Sequence, residues 1–129
     1  MKTNYKVAIA LVAGAAIGGA AIQGLHAQAK PPAYIVVPIL KINDAAAFKA
    51  GVVDKADPAA LKAGGGEWLI RSTKFTSLDG PPPERLIILK FDSVEKAQAF
   101  LNTPAQKEVN AARVKTTNSL QFIVDGFAN

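Results

Sequence analysis

From Ala33 onward the apolar positions fall into short blocks separated by turn residues, and the spacing inside each block says what it becomes. AYIVVPILKI, Ala33–Ile42, is β-branched and aromatic, lies between Pro31-Pro32 and Asn43-Asp44, and is too short for an isolated helix, so it reads as a strand. Its two alternating sets, Tyr34, Val36, Leu40, Ile42 and Ile35, Val37, Ile39, are both apolar, which predicts burial on both sides. Pro38 cannot donate to a ladder, so a bulge or an unpaired position is expected there. Asp44 can cap a helix over Ala45–Ala50 that Gly51 interrupts, and Asp57-Pro58 opens a second helical piece ending at Gly64-Gly65-Gly66. That triple glycine lacks the lysine and hydroxyl that would make it a phosphate loop.

Glu67–Thr73 reads as a second strand, Ser77–Pro83 as a loop stiffened by three prolines, and Arg85–Phe91 as a third strand, apolar on both faces. Ser93 caps a helix whose Val94, Ala97, Phe100 and Leu101 share one face. Thr103-Pro104 breaks it and starts another helix running to about Lys115, and Leu120–Asp125 is the last strand. The order is β-α-β-β-α-β with each helix in two pieces, an α+β ferredoxin-like sandwich with a four-stranded antiparallel sheet and helices on one face. A sheet covered on one side should be wet on the other, yet strands one and three are apolar on both. Two copies packed sheet to sheet, a homodimer through the apolar sheet face, would bury that surface, and a monomer with an apolar ligand cleft is the alternative.

The N-terminus reads differently. Lys2 and Lys6 precede an uncharged run from Val7 to Ile22, and Ala27-Gln28-Ala29 is the small-x-small pattern that a signal peptidase accepts. A cleaved secretory leader over residues 1–29, a single domain over 30–129 and a periplasmic or secreted location are the expectation. The alternative is an uncleaved anchor, but the run is diluted by Gly14, Gly18 and Gly19 and falls short of the roughly 20 apolar residues that span a bilayer.

Composition then narrows the chemistry. The 129 residues contain no cysteine, which removes disulfides, thiolate metal sites and thiol nucleophiles. The single histidine, His26, would leave with the leader, together with Lys2 and Lys6. The balance of 15 basic to 10 acidic residues becomes 13 to 10, so the formal charge falls from +5 to +3. The remaining lysines are scattered and do not make the clustered face that nucleic acid requires. No metal site and no cofactor are expected, and a general base would have to be a carboxylate.

These landmarks, AYIVVPILKINDAAAF, GGEWLIRS, LDGPPPERLIILKFDSVEKAQAFLNTP and FIVDG, resemble the domain of unknown function family numbered 1330, a member of the dimeric alpha/beta barrel superfamily. The resemblance spans residues 30–129 almost entirely and is most specific from Leu78 to Leu101. It implies the ferredoxin-like fold and the dimer. The family's acidic-Gly turn is commonly Glu-Gly and stands here as Asp79-Gly80; its Ser-Pro-x-Tyr helix start stands as Thr103-Pro104-Ala105-Gln106, so Gln106 takes the place of a tyrosine and its phenolic hydroxyl. The superfamily resemblance permits cofactor-free oxygenases, haem degraders, lactone isomerases and regulatory ligand-binding domains, and the loss of His26 argues against branches built on a histidine.

The candidate ligand-binding residues are Arg71, Asp79 and Arg85, which the loop between strands two and three can bring to one end of the sheet, with Arg113 on the last helix. Such guanidinium groups could hold a carboxylate bidentately; an ordinary ion pair tying down the loop is the structural alternative. Trp68 and Tyr34 could line an apolar pocket or belong to the core or dimer interface. Three functions stay open: a homodimeric small-molecule-binding module for an apolar or carboxylate-bearing ligand, a cofactor-independent oxygenase or isomerase, and a purely structural dimer.

Overall fold

The computed structural model describes residues 31–127, so the expected leader lies outside the described residues. Pro32–Phe127 forms one compact unit. Strand β1 is Ala33–Ile42, β2 Gly66–Ser72, β3 Arg85–Phe91, β4 Thr117–Ser119 and β5 Phe122–Asp125. Helix α1 (Ala45–Phe48) runs on as π-helix through Lys49–Val53; α2 is Pro58–Ala63, α3 Val94–Leu101 and α4 Pro104–Thr116. All pairings are antiparallel, in the order β2-β3-β1-β4 with β5 also on β1, which is the ferredoxin-like arrangement expected from the order of elements.

The caps at Asp44, Asp57 and Ser93 are the predicted ones, and Thr103 caps α4. Asp44 accepts from the Ala47 amide, Asp57 from Ala59 and Ala60, Ser93 from Lys96 and Thr103 from Gln106, each satisfying amides that the first turn leaves free. Gly64 ends α2 and Gly65 takes φ +82°, the left-handed conformation that lets the chain turn straight into β2.

Two expectations about local structure are corrected. Gly51 does not interrupt the first helix; it lies inside the π-helical continuation, and the reason is contact with α4. A Cβ at Gly51 would lie 2.7 Å from the Cβ of Ala112, so glycine here permits a close helix crossing. The last strand is not one segment either. Pairing begins earlier, at Thr117, and breaks at Leu120-Gln121, so the sheet has five strands. β5 pairs with Ala33–Val36 and β4 with Ile39–Ile42, with a register shift between Ile39 and Lys41.

The break sits opposite Pro38, whose carbonyl accepts from the Leu120 amide at 3.0 Å. The N–H and C=O of a strand residue point to the same side, so the donor Pro38 lacks is the one that would have returned the bond to Leu120. The expected irregularity at Pro38 is therefore passed to its neighbour strand.

Burial along β1 alternates. Ala33, Ile35, Val37 and Ile39 face the helices and are buried, joined by Phe48, Leu61, Leu89, Phe91 and Ala97 in the core. Fully burying each large apolar side chain contributes roughly 1.5–3 kcal/mol. Tyr34, Val36 and Pro38, on the other face, stay half-buried. Their cross-strand partners Val124, Phe122 and Leu86 share that face, as does Ile88 opposite Val36 and Ile70 opposite Ile88. The outer face is apolar as expected, with Phe122 47% and Val124 44% exposed.

Candidate functional site

Between the sheet and its helices lies a cavity of ≈ 190 Å³. Its floor is the helix-facing set of the sheet: Ile35 and Val37 from β1, Trp68 from β2, Ile87 and Leu89 from β3. The roof is mostly α4, where Gln106, Val109, Asn110 and Arg113 follow the i, i+3, i+4, i+7 spacing of a single helix face and all line the cavity. Phe100 and Leu101 from α3 and Leu61 from α2 close the sides. Lys55 and Asp57 are the other charged lining residues, and the Asp57 carboxylate caps α2.

Polar groups gather at one end. Arg113 is only 8% exposed, and burial lowers its pKa from the ordinary guanidinium value. It donates to Ser119 Oγ and, at 3.1 Å, to Gln121 Oε1. Since a guanidinium only donates, Gln121 must present its oxygen to Arg113, and its Nε2 is left to donate to Asn110 Oδ1 at 3.2 Å. That in turn leaves the Asn110 NH₂ as a donor with no acceptor among the described residues. Two buried donors are also unpartnered on cavity-lining residues, Arg113 Nε and the indole Nε1 of Trp68. The carbonyl of Arg113 accepts from Thr117 Oγ1, and that hydroxyl meets Ser119 Oγ at 2.8 Å, which sets Ser119 for the guanidinium. No carboxylate of the described residues lies within ion-pair distance of Arg113.

Of the six predicted ligand residues, the structure brings Trp68 and Arg113 into this cavity. Arg71 stacks over the Trp68 ring at 4.8 Å, on the same side of the sheet because the irregularity between Trp68 and Ile70 restores their common facing. Arg85 lies over Phe48 at 5.5 Å, with its buried Nε unpartnered. Asp79 is exposed in the proline loop and forms no ion pair with either arginine, so the anticipated cluster of Arg71, Asp79 and Arg85 is replaced by two separate cation–ring contacts. Tyr34 belongs to the outer face of β1.

Sequence reasoning missed Asn110 and Gln121. Asn110 carried a signal: with Gln106 and Arg113 it makes a polar line on the same helix face as Val109. Gln121 carried none, because it enters the cavity through the strand break opposite Pro38. Among the described residues no group of His, Cys, Asp or Glu could hold a metal ion.

Comparison with known proteins agrees with the fold. A crystal structure of a protein of unknown function from Rhodopseudomonas palustris is 14% identical, with 76% of this chain and 84% of that chain covered and a TM-score of 0.57. A "putative antibiotic biosynthesis monooxygenase" from Caulobacter crescentus CB15 is 18% identical over 76% of this chain and 92% of that chain, with a TM-score of 0.52. At these identities the likeness is one of fold alone. A search of curated proteins finds no match. The model of a domain of unknown function, DUF1330, matches residues 32–127, nearly the whole described unit, and the chain belongs to that family.

Proposed function

We propose that this chain is an exported, homodimeric small-molecule-binding module whose ligand sits between the sheet and its helices. The observation that carries the reading is the cavity itself: aliphatic and aromatic walls with unpartnered buried donors on Arg113 and Trp68, which is the composition of a site for a mostly apolar molecule with a polar handle. Export is supported by the Met1–Ala29 pattern. Dimerisation is supported by the outer face, where Val36, Leu86, Ile88, Phe122 and Val124 form an apolar surface that a second copy of the same face would cover.

Catalysis of the oxygenase or isomerase kind is the weaker reading, because a base is needed. Among the described residues Asp57 is the only carboxylate lining the cavity, and its Oδ1 is engaged by the Ala59 and Ala60 amides. The test is native mass spectrometry of the full chain with small apolar compounds, alongside Val109→Trp, which fills the cavity from α4. A dimer that takes up one small molecule per protomer, with uptake lost in the variant, is the expected result. A chain that takes up nothing, or whose uptake ignores the variant, overturns the reading.

A further inference from the structure

We infer that the cavity is built for an apolar monocarboxylate of about one ring's bulk, with the Arg113 guanidinium as its counter-ion. The inference rests on the binding reading above and goes further in naming the ligand's charge, size and anchor.

The charge comes from a count of unmet bonds. The buried side-chain atoms left unpartnered on the lining are both donors, Arg113 Nε and Trp68 Nε1. A molecule that satisfies them must offer acceptors. Arg113 is also a buried cation without a carboxylate, and burial of an unpaired charge is costly. Its place in the last turn of α4 offsets part of that, since the helix C-terminus favours a cation. The oxygens of Ser119 and Gln121 add neutral acceptors. Neither supplies the negative charge that a buried guanidinium takes as its best partner, and a planar carboxylate fits its fork. Lys55 and Asp57 offset one another on the lining, so one positive charge remains to be met and a monoanion meets it.

Volume sets the size. A cavity of ≈ 190 Å³ is a little larger than the engineered apolar cavity of about 150 Å³ that accepts benzene. One six-membered ring with a carboxylate fits this volume. The walls that Ile35, Val37, Leu89, Phe100 and Val109 contribute suit the apolar body.

The experiment titrates the full chain with benzoate, benzamide, toluene and inorganic phosphate, reading the emission of Trp68, the single tryptophan, which lines the cavity. Benzoate should bind at least about tenfold more tightly than its neutral isostere benzamide, as expected for a charge-assisted bond. Arg113→Met should remove that preference and keep toluene binding. Arg113→Lys, which keeps the charge and loses the fork, should retain a reduced preference and stands in if the methionine variant does not fold. Toluene binding with benzoate no tighter than benzamide would overturn the acid and leave cavity binding standing. Phosphate displacing benzoate at equal concentration would also overturn it, since the site would then read charge without the ring. If none of the four binds, the monocarboxylate inference fails, and the compound screen and Val109→Trp decide the broader reading separately.

Discussion

The crossing of α4 over the π-helical segment should be testable by adding one methyl group and removing another. Alanine at position 51 puts its Cβ 2.7 Å from the Cβ of Ala112, where carbon atoms settle at about 3.5–4.0 Å, so the two backbones must part by roughly 1 Å. Neither atom is the free end of a flexible side chain, so the strain cannot be relieved by a rotamer change. Overpacking of this kind costs about 1–3 kcal/mol, and the helix propensity of alanine over glycine returns up to about 1 kcal/mol. With the full propensity return, Gly51→Ala should therefore destabilise by about 0–2 kcal/mol, a fall in Tm of up to roughly 16 °C for a domain of this size. Ala112→Gly should cost about 1 kcal/mol by itself. In the Ala112→Gly background the clash is gone, so adding Gly51→Ala should be neutral or stabilising. The assay is a double-mutant cycle from thermal and urea unfolding of the full chain, at one protein concentration because a dimer's Tm depends on it. Gly51→Ala that stabilises the chain with Ala112 intact, or an equal effect in both backgrounds, would refute the close-crossing argument. The same variant should alter ligand affinity, because Val52 on one element and Val109, Asn110 and Arg113 on the other line the cavity.

Three further outcomes follow from particular contacts. Ile88→Lys, on the outer face between Val36 and Ile70, should convert the proposed dimer to a folded monomer, read by light scattering with an unchanged far-ultraviolet spectrum; a persistent dimer would place the interface elsewhere. Phe91→Ala removes a ring that is 1% exposed and packs on Phe100 at 5.4 Å between centroids, and should cost about 3–5 kcal/mol in urea unfolding. Gln121→Leu strips an acceptor from Arg113 and should cost about 1–3 kcal/mol, whereas the same change beside Arg113→Met should cost clearly less, since no buried donor is then stranded.

The sequence carried the frame of this fold because the frame is local. Caps at Asp44, Asp57, Ser93 and Thr103 are single-residue signals, and the two-residue period of Ala33–Ile42 survives in the buried set Ala33, Ile35, Val37, Ile39. Gly51 went the other way. Its role depends on Ala112, sixty-one positions on, and a breaker by propensity becomes a contact point once α4 lies against it. The candidate arginines divided for the same reason: residues near one another along β2 and β3 were legible, but which ring each guanidinium would find was not, because Phe48 comes from α1.

Gln121 shows how far a local signal can reach when topology amplifies it. Pro38 announces a missing donor in β1, and the sequence says nothing about which neighbour would bear the consequence. The fold places the last strand there, and the strand answers by breaking after Ser119 and resuming at Phe122. An unbroken strand would have to continue its alternation through Leu120 and Gln121; the break instead releases Gln121 to bond with both Arg113 and Asn110. Ser119, the last residue before the break, binds the same guanidinium. The proline in the first strand and the polar end of the cavity are thus one feature. Pro38→Val, which restores the donor, should favour a continuous last strand and draw Gln121 away from Arg113. The Trp68-monitored preference for benzoate over benzamide should then change, while a variant with unchanged preference and unchanged Gln121 contacts would show that the break has another cause.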